Sequence, residues 1–297
     1  LARQINDVRV EITALSTLAQ IASEQGAYDT AKQHSDAALA VARACDDRNH
    51  IASALSMLGT IAWRWGDIEQ ADRCVQESLA IYRELGNRQR IPRILNVLGI
   101  FAILRESYDQ AEQYWEEGLV MVQEMGDLQA MADMLNNLGY INHHHIGNLE
   151  KAKQYYQESL SIGQEIGHRH GATSTLSNLG HLHVLLGKHE AAWNYLCKAL
   201  SESAAIGVVP LTLDTLVGVA RLRAEVGKYA SAAELLGLVL NHPAVEADSV
   251  QATEAVITRL RELLPADQLE AAMERGKTTE LNTVVTELLA RDGLLSR

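Results

Sequence analysis

Histidine is the side chain best equipped for chemistry that this sequence holds in quantity, with 11 among 297 residues. His143, His144 and His145 stand in a row, and His181 and His183 recur further along. Neutral imidazoles converging from adjacent segments bind transition metals, and histidine also titrates near neutral pH. A metal site ordinarily adds Cys or carboxylate ligands at set spacings, and none flanks these histidines in that way. The run therefore reads either as a candidate metal ligand set or as solvated turn residues, and the missing partners favour the second reading.

Other chemistries lack their motifs. The stretch from Gly180 to Lys188 has the wrong spacing for a phosphate loop and no hydroxyl residue after the lysine. No Gly-x-Ser-x-Gly elbow, His-Glu-x-x-His helix or Cys-x-x-Cys pair occurs. Cys45, Cys74 and Cys197 are isolated and odd in number, which fits reduced, buried thiols better than a disulfide frame. The sequence reads as non-enzymatic, with no cofactor.

The elements that would position such residues come from a repeat. Small residues recur at Ala31, Ala71, Ala111, Ala152, Ala192 and Ala232, spaced by 40, 40, 41, 40 and 40. A second series, Ala19, Gly59, Gly99, Gly139, Gly180 and Ala220, precedes the first by 12 residues, or by 13 in the fourth unit. The extra residue falls within 142–146 and is expected in a turn. Turn signals such as Gly66-Asp67 and Gly147-Asn148 separate the two series, so each unit is two antiparallel helices. Small residues at the crossing allow close helix approach, and stacking of hairpins buries faces that one hairpin leaves open. Trp63 and Trp65 read as hairpin-packing residues, and Trp115 and Tyr156, four after the anchor alanine, as core. Beyond residue 240 the period is lost, and helical stretches near 249–264, 266–275 and 279–290 read as a cap. The expected domains are 1–240 for the repeats and 241–297 for the cap.

Composition agrees with an all-α chain: 47% of residues are hydrophobic but only 5% aromatic, with one Phe and four Pro. A net charge of −12 argues against nucleic-acid binding by this segment, because phosphate backbones select clustered Lys and Arg. No window has the apolar length of a membrane span and no signal-peptide pattern opens the chain, so a cytosolic location is expected. The start at Leu1 raises the expectation of a piece cut from a longer protein.

The pattern of Leu-Gly, then Gly-Asp/Asn/Lys with an alanine downstream, then Ala/Ser-Leu, resembles the tetratricopeptide repeat over roughly residues 10 to 240. Its 40-residue length and its Leu85-Gly86-Asn87-Arg88 type of ending resemble the variant in bacterial LuxR-type, AfsR-like and other STAND regulators. The resemblance implies a right-handed α-solenoid of about six hairpins, acting as a sensor behind an N-terminal nucleotide-binding switch domain. Glu106-Ser107 departs from the pattern where a turn glycine is expected, as does Val219-Ala220 for Leu-Gly.

The family pattern places ligand contacts on the first helix of each hairpin, three residues before and one after the small position. In this sequence those positions include Ser56, Asn96, Asn136 and Ser177, then Thr60, Tyr140, His181 and Arg221. One turn upstream lie Arg93, Asp133 and Asp214 on the same face. Asparagine offers a donor and an acceptor, so Asn96 and Asn136 read either as clamps on a peptide backbone or as solvated polar residues. The implied partner is a peptide, a protein or a small-molecule effector. The alternatives are a constitutive adaptor for protein assembly and, with least support, an enzyme with an unrecognised site.

Overall fold

The computed structural model describes residues 2–290, and every regular element among them is helical. Six hairpins come first: α1 (Ala2–Glu24) with α2 (Tyr28–Ala44), α3 (Arg48–Arg64) with α4 (Ile68–Glu84), and α5 (Ile91–Leu104) with α6 (Tyr108–Met125). They continue with α7 (Leu128–Ile141) and α8 (Leu149–Glu165), α9 (Arg169–Leu185) and α10 (His189–Ile206), and α11 (Val209–Glu225) and α12 (Tyr229–Asn241). Three more helices follow, α13 (Ala247–Leu263), α14 (Ala266–Lys277) and α15 (Leu281–Leu289). The chain is an all-α solenoid of helical hairpins. Its backbone contacts divide it into two compact units, residues 1–134 and 135–297.

Close approach at the hairpin crossing explains the repeat of small residues. A Cβ added to Gly59, Gly99, Gly139 or Gly180 would collide with Val75, Trp115, Tyr156 or Leu196 respectively. Each of these partners lies four residues after an anchor alanine, and all six anchor alanines are 0% exposed. Trp115 and Tyr156 are core residues. Trp63 packs near Phe101, with ring centroids 6.0 Å apart. Trp65 departs from the expected hairpin packing: it is 52% exposed, with the Lys32 ammonium 5.7 Å from its ring centroid.

The turns follow from their residues. Asp67 and Asn148 accept hydrogen bonds from the backbone N–H of Gln70 and Lys151, satisfying donors that a helix start leaves open. In the third hairpin Glu106 takes the left-handed conformation, φ 57°, that glycine adopts in its counterparts.

The thirteenth residue of the fourth unit is accommodated differently from expectation. Instead of lengthening the turn, it widens the end of the first helix into a π-helical turn, Asn142–Ile146. A π turn absorbs one extra residue without breaking the helix axis. Buried Asn142 donates from Nδ2 to the Leu138 carbonyl at 2.9 Å, satisfying a backbone acceptor beside the turn.

In unit 2 the last helices pack on the repeats, α14 against α12, α13 against α11 and α12, and α15 against α10. Backbones meet at the α12–α14 crossing: a Cβ on Gly276 would strike the Glu234 carbonyl, and one on Gly237 the Met273 carbonyl. Cys45 is exposed, contrary to the expectation of buried thiols, while Cys74 and Cys197 are half-buried and free. Burial pushes the Cys197 thiol up to about 11. No helix of the described residues is long and apolar enough to cross a membrane.

Candidate functional site

In unit 1, α5 and the start of α7 bring three of the expected residues together. Arg93, Asn96 and Asp133 line one open cavity of about 610 Å³, joined by Arg90, Asp127 and Gln129. The guanidinium groups of Arg90 and Arg93 have no hydrogen-bond or ion-pair partner among the described residues, and both residues are exposed. Asp127 is committed locally, its Oδ1 accepting from the Ala130 N–H at 3.1 Å at the start of α7. Ser56 and Thr60 are half-buried and lie outside this cavity; Thr60 Oγ1 donates to the Ser56 carbonyl within their own helix.

Asn96 has a structural duty that the sequence reading did not contain. Its Oδ1 accepts from Nε1 of Trp115, 3.0 Å away, and that indole is only 2% exposed. A buried indole N–H needs an acceptor, and Asn96 supplies it.

In unit 2 the first-helix residues form two hydrogen-bonded polar groups. Asn136 Oδ1 accepts from Thr175 Oγ1 at 3.1 Å and from Asn178 Nδ2 at 3.0 Å. The Asn136 Nδ2 group has no partner among the described residues. Ser177 Oγ donates to Asp214 Oδ2 at 2.8 Å and accepts from Thr215 Oγ1 at 3.2 Å. His181 Nε2 lies 3.2 Å from the Asp214 carbonyl and 3.5 Å from its Oδ2. Ser177 and His181 are 1% and 6% exposed, so the structure places them beneath the face, where they hold Asp214 instead of lining a groove. Burial works to raise the Asp214 pKa, but the adjacent His181 and the hydrogen bonds from His181 and Ser177 outweigh it and hold the carboxyl below its ordinary value.

The π turn explains the histidine run. Tyr140 and His144 pack with tilted rings, centroids 4.4 Å apart, and His143 and His144 likewise with centroids 4.0 Å apart. His143 is buried against Tyr156, whose hydroxyl is 3.5 Å from its Nδ1. Burial first, and then the neighbouring charges of His144, His181 and Arg221, lower His143 to about 2. His144 falls to about 4, through burial first and then the charges of His181, His145 and Arg221. Both shifts favour the neutral imidazole. Among the described residues no three His, Cys, Asp or Glu side chains are placed to hold a metal ion.

Helical hairpins with small residues at their crossings and polar first-helix faces define a solenoid class built for recognition. Residues 10–84 and 130–201 match the tetratricopeptide repeat family model, and the chain is a tetratricopeptide-repeat protein. Among solved structures it is similar to a signal transduction ATPase with numerous domains (STAND) from Pyrococcus horikoshii that carries a tetratricopeptide repeat sensor. That match has a TM-score of 0.70 and 18% identity, and covers 96% of this chain but only 45% of the other. BtubC from P. vanneervenii gives a TM-score of 0.54 at 18% identity, over 90% of this chain and 92% of that one. A Rap protein complexed with Competence and Sporulation Factor gives 0.62 at 13% identity, over 94% and 76%. At these identities the likeness establishes the fold alone. No curated protein sequence matches the chain.

Proposed function

We propose that this chain is a non-catalytic peptide- or protein-binding module that serves as the sensor segment of a larger bacterial signalling protein in the cytosol. The observation that carries the reading is the unit 1 cavity, where the expected residues Arg93, Asn96 and Asp133 converge and two guanidinium groups have no protein partner among the described residues. Arginine presents five donors in a planar fork suited to carboxylates, and Arg90 and Arg93 offer that fork twice in a cavity that also holds Asp127 and Asp133. Two relatives in fold support the assignment: the STAND protein, which carries a tetratricopeptide repeat sensor, and the Rap protein, which was solved in complex with Competence and Sporulation Factor. In this reading ligand occupancy is relayed to an N-terminal nucleotide-binding switch domain of the parent chain.

Selection from a displayed random-peptide library tests it. The module should enrich peptides carrying Asp or Glu, and Arg93→Ala should weaken the best of them by about ten-fold, the loss of one charge-assisted contact of roughly 1.5 kcal/mol. Failure to enrich any peptide, or equal binding by the Arg93→Ala variant, would remove the proposal. A parent chain lacking a switch domain would shift the reading to a constitutive adaptor.

A further inference from the structure

We infer that the outer face of α1 is an interaction surface whose occupant is a second copy of this chain, paired with it through an antiparallel α1–α1 contact. Val10, Ala14, Leu18 and Ile21 recur at helical spacing and form one apolar stripe. All four are exposed, Val10 at 67%, Leu18 at 46% and Ile21 at 45%. Their later equivalents are core. By repeat position Ala14, Leu18 and Ile21 correspond to Ala54, Leu58 and Ile61 of α3 and to Ile94, Leu98 and Phe101 of α5, none of them more than 6% exposed. What covers those residues is the preceding hairpin: α2 packs against α3, α4 against α5, and Ile61 clusters with Ala22 and Ala31. Helix α1 thus carries the stripe of an interior helix, with no preceding hairpin on it among the described residues.

A helical stack that ends in water closes with a polar outer face. The other end of this stack does so: α13 and α14 cover α12 and leave Glu254, Arg261, Asp267 and Glu270 exposed. That closed end gives a second copy no open repeat helix to lay on α1, so the partner surface is its own α1, in a two-fold arrangement that uses the same face twice. The stripe is self-complementary. In an antiparallel pair with its two-fold axis level with residue 16, Ala14 of each copy faces Leu18 of the other and Val10 lies beside Ile21. Small then meets large, and the helices approach closely. From Val10 to Ile21 the only charged residue is Glu11, so two chains of net charge −12 meet where few charges oppose them. Pairing takes the stripe out of water, but a single helix face is at the small end of specific interfaces, so the dimer is reversible and follows concentration.

The surface uses α1, whereas the cavity that carries the proposed function is framed by α5 and α7, so either can fail alone. The test is sedimentation equilibrium of the full chain from about 1 µM to about 1 mM, the range in which so small an interface associates. The mass should rise from that of the monomer toward twice that value, and amide exchange in residues 8–24 should slow in step while α12 stays unchanged. Leu18→Glu sets two carboxylates into the paired face and should weaken association at least ten-fold. Val120→Glu places the same charge on an equally exposed aliphatic residue of α6 and should change association less than two-fold. Because Leu18 is exposed, its variant should retain the parent circular dichroism; if it does not fold, Val10→Lys, at the more open end of the stripe, should still weaken association several-fold. A peptide copying residues 28–47 supplies a second helix in free form. If it slows exchange in α1 of a chain that stays monomeric by itself, the face takes a foreign helix and the inference is overturned. A monomer at every concentration, or a dimer that Leu18→Glu leaves intact, would overturn it as well.

Discussion

Replacing Asn96 by alanine should destabilise unit 1, because the buried indole N–H of Trp115 would lose its acceptor. Leaving a buried donor unsatisfied costs about 1–3 kcal/mol, more than the modest net value of a typical hydrogen bond. In a Trp115→Phe background the donor is already gone, and the same Asn96→Ala change should cost under about 0.5 kcal/mol, so the double-mutant cycle should yield a coupling of about 1–2.5 kcal/mol. With two compact units a single global unfolding curve is a poor measure. Amide hydrogen exchange in α5 and α6 reads opening locally and should accelerate about 5- to 150-fold in Asn96→Ala, the range that this cost implies. Equal acceleration by Asn96→Ala with and without the Trp115→Phe change would refute the assignment. The consequence for function is direct: reduced ligand binding by Asn96→Ala would mix lost contact with lost structure, so Arg93 is the cleaner probe.

Other consequences are as specific. Glu106→Gly should stabilise the third hairpin by about 0.5 kcal/mol, because the side chain is relieved of a left-handed backbone conformation, partly offset by unfolded-state entropy; faster exchange in α5 and α6 would contradict this. Gly276→Ala should release α14 from α12, since the obstructing atom is backbone and cannot rotate away, and limited proteolysis should then cut after residue 263; protection equal to wild type would contradict the crossing. His143 contributes a stability term that is complete above its ordinary pKa of 6.5 and is lost as pH falls, because the unfolded chain takes up a proton there while the folded one stays neutral down to about 2. Between pH 7 and 5.5 that loss is about 1 kcal/mol, and His143→Phe should remove this part of the pH dependence of the urea midpoint. An unchanged pH dependence in the variant would show that His143 is protonated in the fold.

The repeat was readable because close backbone approach leaves a mark in residue type: glycine stands opposite Val75, Trp115, Tyr156 and Leu196, where an added Cβ would collide. Helices after residue 240 were readable from their own helical periodicity. The π turn was not, since an insertion of one residue looks the same in sequence whether it enlarges a loop or widens a helix end. Which first-helix residues share a repeat position was readable, but how deeply each is buried was not. Ser177 and His181 sit at the same repeat positions as more open residues, and what buries them is Asp214 on the next hairpin, 37 and 33 residues away. Asn96 and Asn136 looked alike, yet one serves a tryptophan 19 residues on and the other a Thr–Asn pair about 40 residues on. Arg90 went unnoticed because it lies just before α5, outside the periodic positions.

The most direct measurement is hydrogen exchange of the intact chain with and without a selected acidic peptide. The account predicts protection concentrated in residues 89–96 and 127–134, the segments that frame the unit 1 cavity, and its loss in Arg93→Ala. Protection confined to the second helices α4 and α6, or none at saturating peptide, would contradict the central claim that this chain recognises ligands through its first-helix face.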